Sequence, residues 1–222
     1  EVPYVTVLQR DLAELGFKGA DALGIACDVT STAEVNAAVD RCVLTFGGLD
    51  VLVSNAGDFP PSQRIDAIED AAFERTLALN LGSHMKVMRA AAPFLSLGLD
   101  PAIVVVASRN VPAPGPGAAA YSTAKAGLTQ LARVAALELA PAGVRVSAIH
   151  PDKVFDTDLW SDEKIALRAQ NYGVSVDAYK RQNLLGAEVT TRDCAEAVLA
   201  LVKMRATTGA QIPVDGGSDR VV

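Results

Sequence analysis

Histidine is nearly absent from this chain: 222 residues contain two, His84 and His150. With no clustered carboxylates beside them, a metal centre has no ligand set to draw on. Cysteine is equally scarce. Cys27, Cys42 and Cys194 are odd in number, far apart and in no CxxC or metal-ligand spacing. They read as reduced thiols of a cytoplasmic protein rather than as a disulfide framework. Lysine and arginine (20) are outnumbered by aspartate and glutamate (26), for a net charge of −6. No basic stripe breaks that balance, which argues against a nucleic-acid partner; mild acidity chiefly serves solubility. No apolar run reaches the roughly 20 residues that span a bilayer, and no secretory leader is visible at the start. There is no internal repeat. The one punctuated stretch, Pro112-Ala113-Pro114-Gly115-Pro116-Gly117, is a loop by composition.

What is present is an alternation. Half the residues are apolar, enough for one sizeable core, and the length suits a single α/β domain over residues 1–222. Predicted strands are Ala22–Cys27, Leu49–Val53, Ala102–Ala107, Val144–Ile149 and Ala210–Val214. Predicted helices run from a Ser31 cap to about Phe46, from Asp70 to Leu95, from Ala118 to Leu139, and from Thr191, as cap, to Lys203. Ser31 and Glu34 have capping-box spacing, and Gly47-Gly48 stops the helix they begin. Asp152 to Glu188 reads as a polar, variable segment. The strands are rich in Val, Ile and Leu with little polar alternation, as expected of strands buried on both faces of a parallel sheet. This rhythm predicts a doubly wound parallel α/β sheet. Such folds bind ligands beyond the carboxyl ends of their strands. Asp28, Asn55, Ser108 and His150 each end or follow a predicted strand.

One constellation carries chemistry. Ser108 follows the run Ile103-Val104-Val105-Val106-Ala107; Tyr121 comes thirteen residues later and Lys125 four after that. Tyrosine and lysine four apart on a helix share a face. A lysine cation there favours the phenolate, so the Tyr121 pKa is expected to fall from about 10 toward neutrality. A phenol so tuned is a general acid/base, and a serine hydroxyl from the neighbouring strand end can hold a substrate oxygen. His150 reads as a hydrogen-bonded strand-end histidine, and His84 as a helix-surface or interface residue.

These residues together resemble the short-chain dehydrogenase/reductase family, over nearly all of residues 20–217. Ser108, Tyr121 and Lys125 match its catalytic trio in order and spacing. Asn80, in Leu79-Asn80-Leu81-Gly82, matches its helix asparagine, which orders a water in a proton relay. Asn55-Ala56-Gly57 matches the turn after its fourth strand. Asp28-Val29 matches the acidic position that contacts adenine. Pro151 and Val154 match the segment that touches nicotinamide, and Asp215-Gly216-Gly217 the carboxyl-terminal signature. The resemblance implies a Rossmann-type fold and hydride transfer with NAD or NADP. Asn80, Ser108, Tyr121 and Lys125 would be catalytic; Asp28, Val29, Asn55, Ala56, Gly57, Tyr121, Lys125 and Val154 would hold the cofactor. It also implies a small hydroxyl or carbonyl substrate and a homodimer or homotetramer. A narrower similarity lies in His150 to Phe155, Asp156-Thr157-Asp158-Leu159-Trp160, Tyr172-Gly173 and Thr208-Gly209-Ala210-Gln211. These resemble the dehydrogenase half of bifunctional rhamnulose-1-phosphate aldolase/short-chain dehydrogenases, and imply a substrate such as lactaldehyde or a sugar-derived alcohol.

Two departures stand out. Asp152 occupies the position where the family has glycine after Pro151; its carboxylate would add negative charge near nicotinamide or bind a polar substrate. The family also opens on strand, Gly-x-x-x-Gly-x-Gly, helix and second strand, whose backbone amides meet the pyrophosphate. Residues 1–27 hold Gly16, Gly19 and Gly24 in no such pattern. Three accounts fit: a fragment, a chain with a stretch elided between about Val7 and Leu8, or a protein without cofactor binding. The last would make this a non-catalytic oligomerisation or partner domain. Asp11 lies too close to Asp28 to be the acid that separates NAD from NADP, so the choice of nucleotide stays open.

Overall fold

The structure is a computed structural model that describes residues 22–218. The expectations placed on the Val7–Leu8 junction, the glycine-turn region and Asp11 lie outside the described residues. Four parallel strands form one sheet in chain order: β1 (Val51–Ser54), β2 (Ala102–Val106), β3 (Arg145–Pro151) and β4 (Gln211–Val214). The helices are α1 (Thr32–Phe46), α2 (Asp70–Leu77), α3 (Ser83–Leu95), α4 (Ala119–Leu139), α5 (Asp162–Asn171), α6 (Val176–Lys180) and α7 (Thr191–Lys203).

β2 shows why an unbroken apolar run suits this sheet. Ile103, Val105 and Ala107 pack with Met88, Ala91 and Leu95 of α3 and with Leu128, Ala132 and Ala136 of α4. Val104 and Val106 point the other way, into a second core with Leu201 and neighbouring residues of α7. Both faces are therefore covered, and the sheet is doubly wound. Each such valine or isoleucine contributes about 1.5–3 kcal/mol by leaving water. Alanines at 124, 132 and 136 on the buried face of α4 bring that helix close to β2 and β3, and so bring Tyr121 and Lys125 to the strand ends. No helix among the described residues is long and apolar enough to cross a membrane.

Several local expectations change. Residues 22–27 form no strand. Apolar composition does not by itself supply a ladder, and among the described strands β1 pairs with β2 alone. The Ser31 side chain accepts the Glu34 N–H as an N-cap should, but the capping box is half formed: the Glu34 carboxylate reaches past Ser31 to the Asp28 N–H, at 2.8 Å. Gly47 ends α1 at φ +83°, which a side chain would resist. α7 is capped by Thr190, not Thr191, in a reciprocal box with Asp193; the Thr191 hydroxyl and N–H instead bond Asp156. The segment 152–188 contains α5 and α6, capped by Ser161 and Ser175. They close over a small core of Phe155, Ile165, Ala169 and Tyr179, with Trp160 packed against it.

The long helix predicted from Asp70 to Leu95 is interrupted. Residues Ala78–Gly82 form a π turn, in which the Ser83 N–H bonds the Ala78 carbonyl five residues back. The Ser83 hydroxyl takes the Leu79 carbonyl. Asn80 sits inside this turn. Such turns cluster at functional sites because they re-aim side chains out of helical register.

Candidate active site

Lys125 is 3% exposed and donates to the Val106 carbonyl at 3.0 Å. Burial pushes its pKa down to about 8. Its ammonium lies 5.8 Å from the centre of the Tyr121 ring. Ser108, 7% exposed, accepts the Asn110 N–H and lies beside the phenol. The Tyr121 pKa moves against expectation: it is raised, first by burial and then by the Asp58 charge, while interaction with the Ser108 hydroxyl pulls it back. The lysine does not lower it here, because desolvation acts on phenol and ammonium alike and favours the neutral form of each. Tyr121 is accordingly a protonated phenol at neutral pH.

The π turn completes this cluster. Asn80, 1% exposed, accepts the Asp58 N–H through Oδ1 and donates through Nδ2 to the Thr76 carbonyl, both at 3.2 Å. Its side chain thus pins the loop after β1 to the helix. Gly57 lies against the same oxygen. A Cβ there would come 2.7 Å from Asn80 Oδ1 and 3.4 Å from Lys125 Nζ. Gly57, Asn80, Lys125, Tyr121 and Ser108 therefore meet in one cluster at the carboxyl end of the sheet.

The remaining predicted residues lie around the strand ends. Asp28 opens the turn into α1: its Oδ1 accepts the Thr30 N–H and hydroxyl at 2.8 and 2.7 Å. Those Thr30 bonds, with Lys86 nearby, hold its carboxyl below the usual range. Val29 follows in the same turn, which Lys86 of α3 ties down through the Thr30 carbonyl. Asn55 is exposed and Ala56 half-buried beyond the end of β1. Val154 follows β3, its carbonyl accepting the Thr157 hydroxyl. His150 is a bonded strand-end residue as expected, joining the Ser108 carbonyl through Nδ1 and Gln211 Oε1 through Nε2. All three cysteines are free thiols.

Asp152 is bonded within the chain. Its Oδ2 accepts the Ser218 hydroxyl at 2.6 Å and lies 3.9 Å from both Arg109 Nε and Lys153 Nζ. The carboxylate faces these two cations and ties together the exits of β3 and β4. A side chain is tolerated at 152 because the left-handed residue of this turn is Lys153, at φ +48°.

Two residues had no part in the sequence reading of the site. Phe59 packs on Tyr121 with ring centroids 4.7 Å apart, from a loop with no periodic signal. His84 is no surface residue: it is 1% exposed, with Nδ1 2.6 Å from Ser54 Oγ. Its spacing of four from Asn80 was the available clue.

The cluster suits the nicotinamide-ribose half of a dinucleotide. Lys125 has three donors, of which Val106 takes one, and the missing Cβ of Gly57 lets the turn pack closely against Asn80 and Lys125. The family model described as enoyl-(acyl carrier protein) reductase matches residues 5–219. 4-Formylbenzenesulfonate dehydrogenase TsaC1/TsaC2 of Comamonas testosteroni is 33% identical over 198 residues, 88% of this chain and 77% of that protein. The uncharacterized oxidoreductase YuxG of Bacillus subtilis (strain 168) is 33% identical over 206 residues, 88% of this chain but 30% of its own length. An NADPH-bound short chain oxidoreductase from Pseudomonas aeruginosa PAO1, described as containing an atypical catalytic center, matches with a TM-score of 0.87 at 32% identity, over 100% of this chain and 85% of that one. A doubly wound sheet whose strand ends gather Ser108, Tyr121 and Lys125, matched end to end in this way, places the chain in the short-chain dehydrogenase/reductase family, NAD(P)-dependent oxidoreductases of alcohols and carbonyls.

Proposed function

We propose that Tyr121 moves the proton, and Ser108 holds the oxygen, in hydride transfer between a nicotinamide nucleotide and a small hydroxyl or carbonyl compound. The observation that carries this reading is the buried Lys125 ammonium between Gly57, Asn80 and the Tyr121 ring, which has no carboxylate partner among the described residues. Burying a lysine without a carboxylate is costly, and such a position makes sense where the ammonium meets a ligand. The bound nucleotide supplies the hydride chemistry. Ser108 positions the substrate oxygen against the phenol. Tyr121, protonated at neutral pH, gives its proton to a forming alkoxide in reduction and takes one back in oxidation. Lys125 holds ribose hydroxyls with the donors that the Val106 carbonyl does not take. Asn80 keeps the Asn55-Ala56-Gly57 turn against Lys125 and supports the water relay that returns the proton. Asp28 and Val29 serve the adenine end, and Val154 the nicotinamide.

The narrower similarity around residues 150–160 supports lactaldehyde, or a related sugar-derived alcohol, as substrate. It also supports a longer protein with an aldolase domain; YuxG is a relative in which this domain occupies part of a longer chain. Apolar side chains exposed on α4, Leu137 at 78% and Val134 at 39%, support a homodimer or homotetramer. Free thiols fit a reducing, cytoplasmic setting. The deciding experiment is Tyr121→Phe, assayed with lactaldehyde and each nucleotide. Loss of one general acid lowers kcat by about 10²–10⁴-fold while nucleotide affinity is kept; unchanged turnover refutes the assignment.

A further inference from the structure

His84 has no place in the proton chemistry above, yet few side chains are more completely enclosed. It is 1% exposed and one helical turn beyond Asn80 on the same face. Its Nδ1 lies 2.6 Å from the hydroxyl of Ser54, the last residue of β1. Nε2 is buried and, among the described residues, makes no hydrogen bond of full geometry. Burial pushes the imidazole down to about 4, with the Lys125 charge acting in the same direction and the Ala56 backbone against it. The ring is therefore neutral at neutral pH and has one donor and one acceptor to place.

The helix grips the loop after β1 at two points. His84 takes it at Ser54, where the chain leaves the strand. Asn80 takes it at Asp58, through the bond to the Asp58 N–H, with Gly57 lying against the same oxygen. Between these points stand Asn55, Ala56 and Gly57. A leucine would fill the site of His84 without leaving a buried nitrogen to satisfy, and buried polar groups without partners are disfavoured. The imidazole is explained if its bond to Ser54 does something that packing alone would not.

We propose that His84 is a positioning residue, which with Ser54 fixes the entry of the Asn55-Ala56-Gly57 turn so that its open face is presented to the nicotinamide nucleotide. The consequence for nucleotide binding rests on the oxidoreductase reading; the clamp itself is a property of the free protein.

Four variants and three measurements test it on the full chain. His84→Leu and Ser54→Ala remove the contact, whereas His84→Asn keeps an amide near the position of Nδ1. Without nucleotide, the Asp58 amide is expected to exchange with solvent about five- to tenfold faster in His84→Leu, the weight of one hydrogen bond. NADH or NADPH affinity, read by nucleotide fluorescence, weakens by a similar factor. At saturating nucleotide kcat stays within about threefold, because binding and not the chemical step is affected. Ser54→Ala reproduces both changes, the double variant adds nothing to them, and His84→Asn restores them. Unaltered Asp58 exchange and nucleotide affinity in His84→Leu, whatever its melting temperature, overturn the proposal. So does a fall in kcat with affinity intact. If His84→Leu fails to fold, Ser54→Ala carries the same test. If no variant, wild type included, binds either nucleotide, the oxidoreductase reading falls, and the exchange measurement still decides the clamp.

Discussion

Gly57 and Asn80 approach so closely that a Cβ at position 57 would lie 2.7 Å from Asn80 Oδ1. Gly57 is not among the glycines with positive φ, so the constraint is one of space rather than backbone conformation. In Gly57→Ala either Asn80 swings away and releases the Asp58 N–H, or the turn lifts off Lys125. The expected cost is about 1–3 kcal/mol of stability, as for other overpacked sites. Activity is expected to fall further than stability alone explains, with nucleotide KM rising most. Denaturant unfolding and steady-state kinetics check this; a fully active Gly57→Ala would show that the contact can relax freely.

Phe59 shields the phenol. Its ring packs on Tyr121 at 52°, and the Arg168 guanidinium of α5 lies 5.9 Å from the Phe59 ring while donating to Ser62 Oγ at 3.3 Å. Burial is the largest cause of the raised Tyr121 pKa, so Phe59→Ala lets water in and lowers it. A lower pKa means that phenolate forms at lower pH. The rising limb of alcohol oxidation therefore moves to lower pH, and Phe59→Leu, which keeps most of the cover, moves it less. The lost ring pair costs about 0.5–1.5 kcal/mol beyond the exposed area. A pH profile of kcat/KM identical to wild type would separate Phe59 from the phenol's titration.

Asp152 is expected to be a stabilising residue with little part in turnover. Its carboxylate holds the Ser218 hydroxyl and faces Arg109 and Lys153, while its N–H continues the bonding to β4 at the Val214 carbonyl. Asp152→Ala should cost about 1–2 kcal/mol, since hydrogen bonds to a charged group exceed neutral ones. kcat and substrate KM should stay close to wild type. A large rise in substrate KM would instead give the carboxylate a direct role in binding.

Much of this was legible in the chain because it depends on local pattern. β2, β3 and α4 announce themselves by apolar runs and small-residue spacing, and Ser108, Tyr121 and Lys125 by their offsets. What escaped depends on partners distant in sequence. Ala22–Cys27 has the composition of a strand but no paired neighbour among the described residues. The π turn at Ala78–Gly82 surrounds a side chain held by Asp58, 22 residues away. α5 was hidden by its polar surface, although Ser161 caps it and Ile165 and Ala169 bury one face. The direction of the Tyr121 pKa required burial, which the Tyr-x-x-x-Lys spacing does not encode.

Lys125 exposes a conflict between fold and function. Its pKa falls from 10.5 to about 8 because the ammonium is buried, which corresponds to a cost of about 3 kcal/mol at pH 7. Below pH 8 folded and unfolded chains both carry the proton, and the folded state bears the whole cost. Between 8 and 10.5 the unfolded chain binds more protons than the folded one, so this residue makes stability rise with pH; above 10.5 the cost is gone. Lys125→Met removes it, while losing the bond to the Val106 carbonyl. The variant should therefore be more stable than wild type by about 1–2 kcal/mol at pH 7, with the advantage shrinking as the pH approaches 10.5. Its turnover should fall by at least about 10²-fold, the usual weight of a disabled acid/base group. Urea unfolding at pH 7 and pH 10 supplies the comparison. A Lys125→Met protein less stable at pH 7, or one whose advantage is the same at both pH values, would mean that the buried charge is not where this stability is lost.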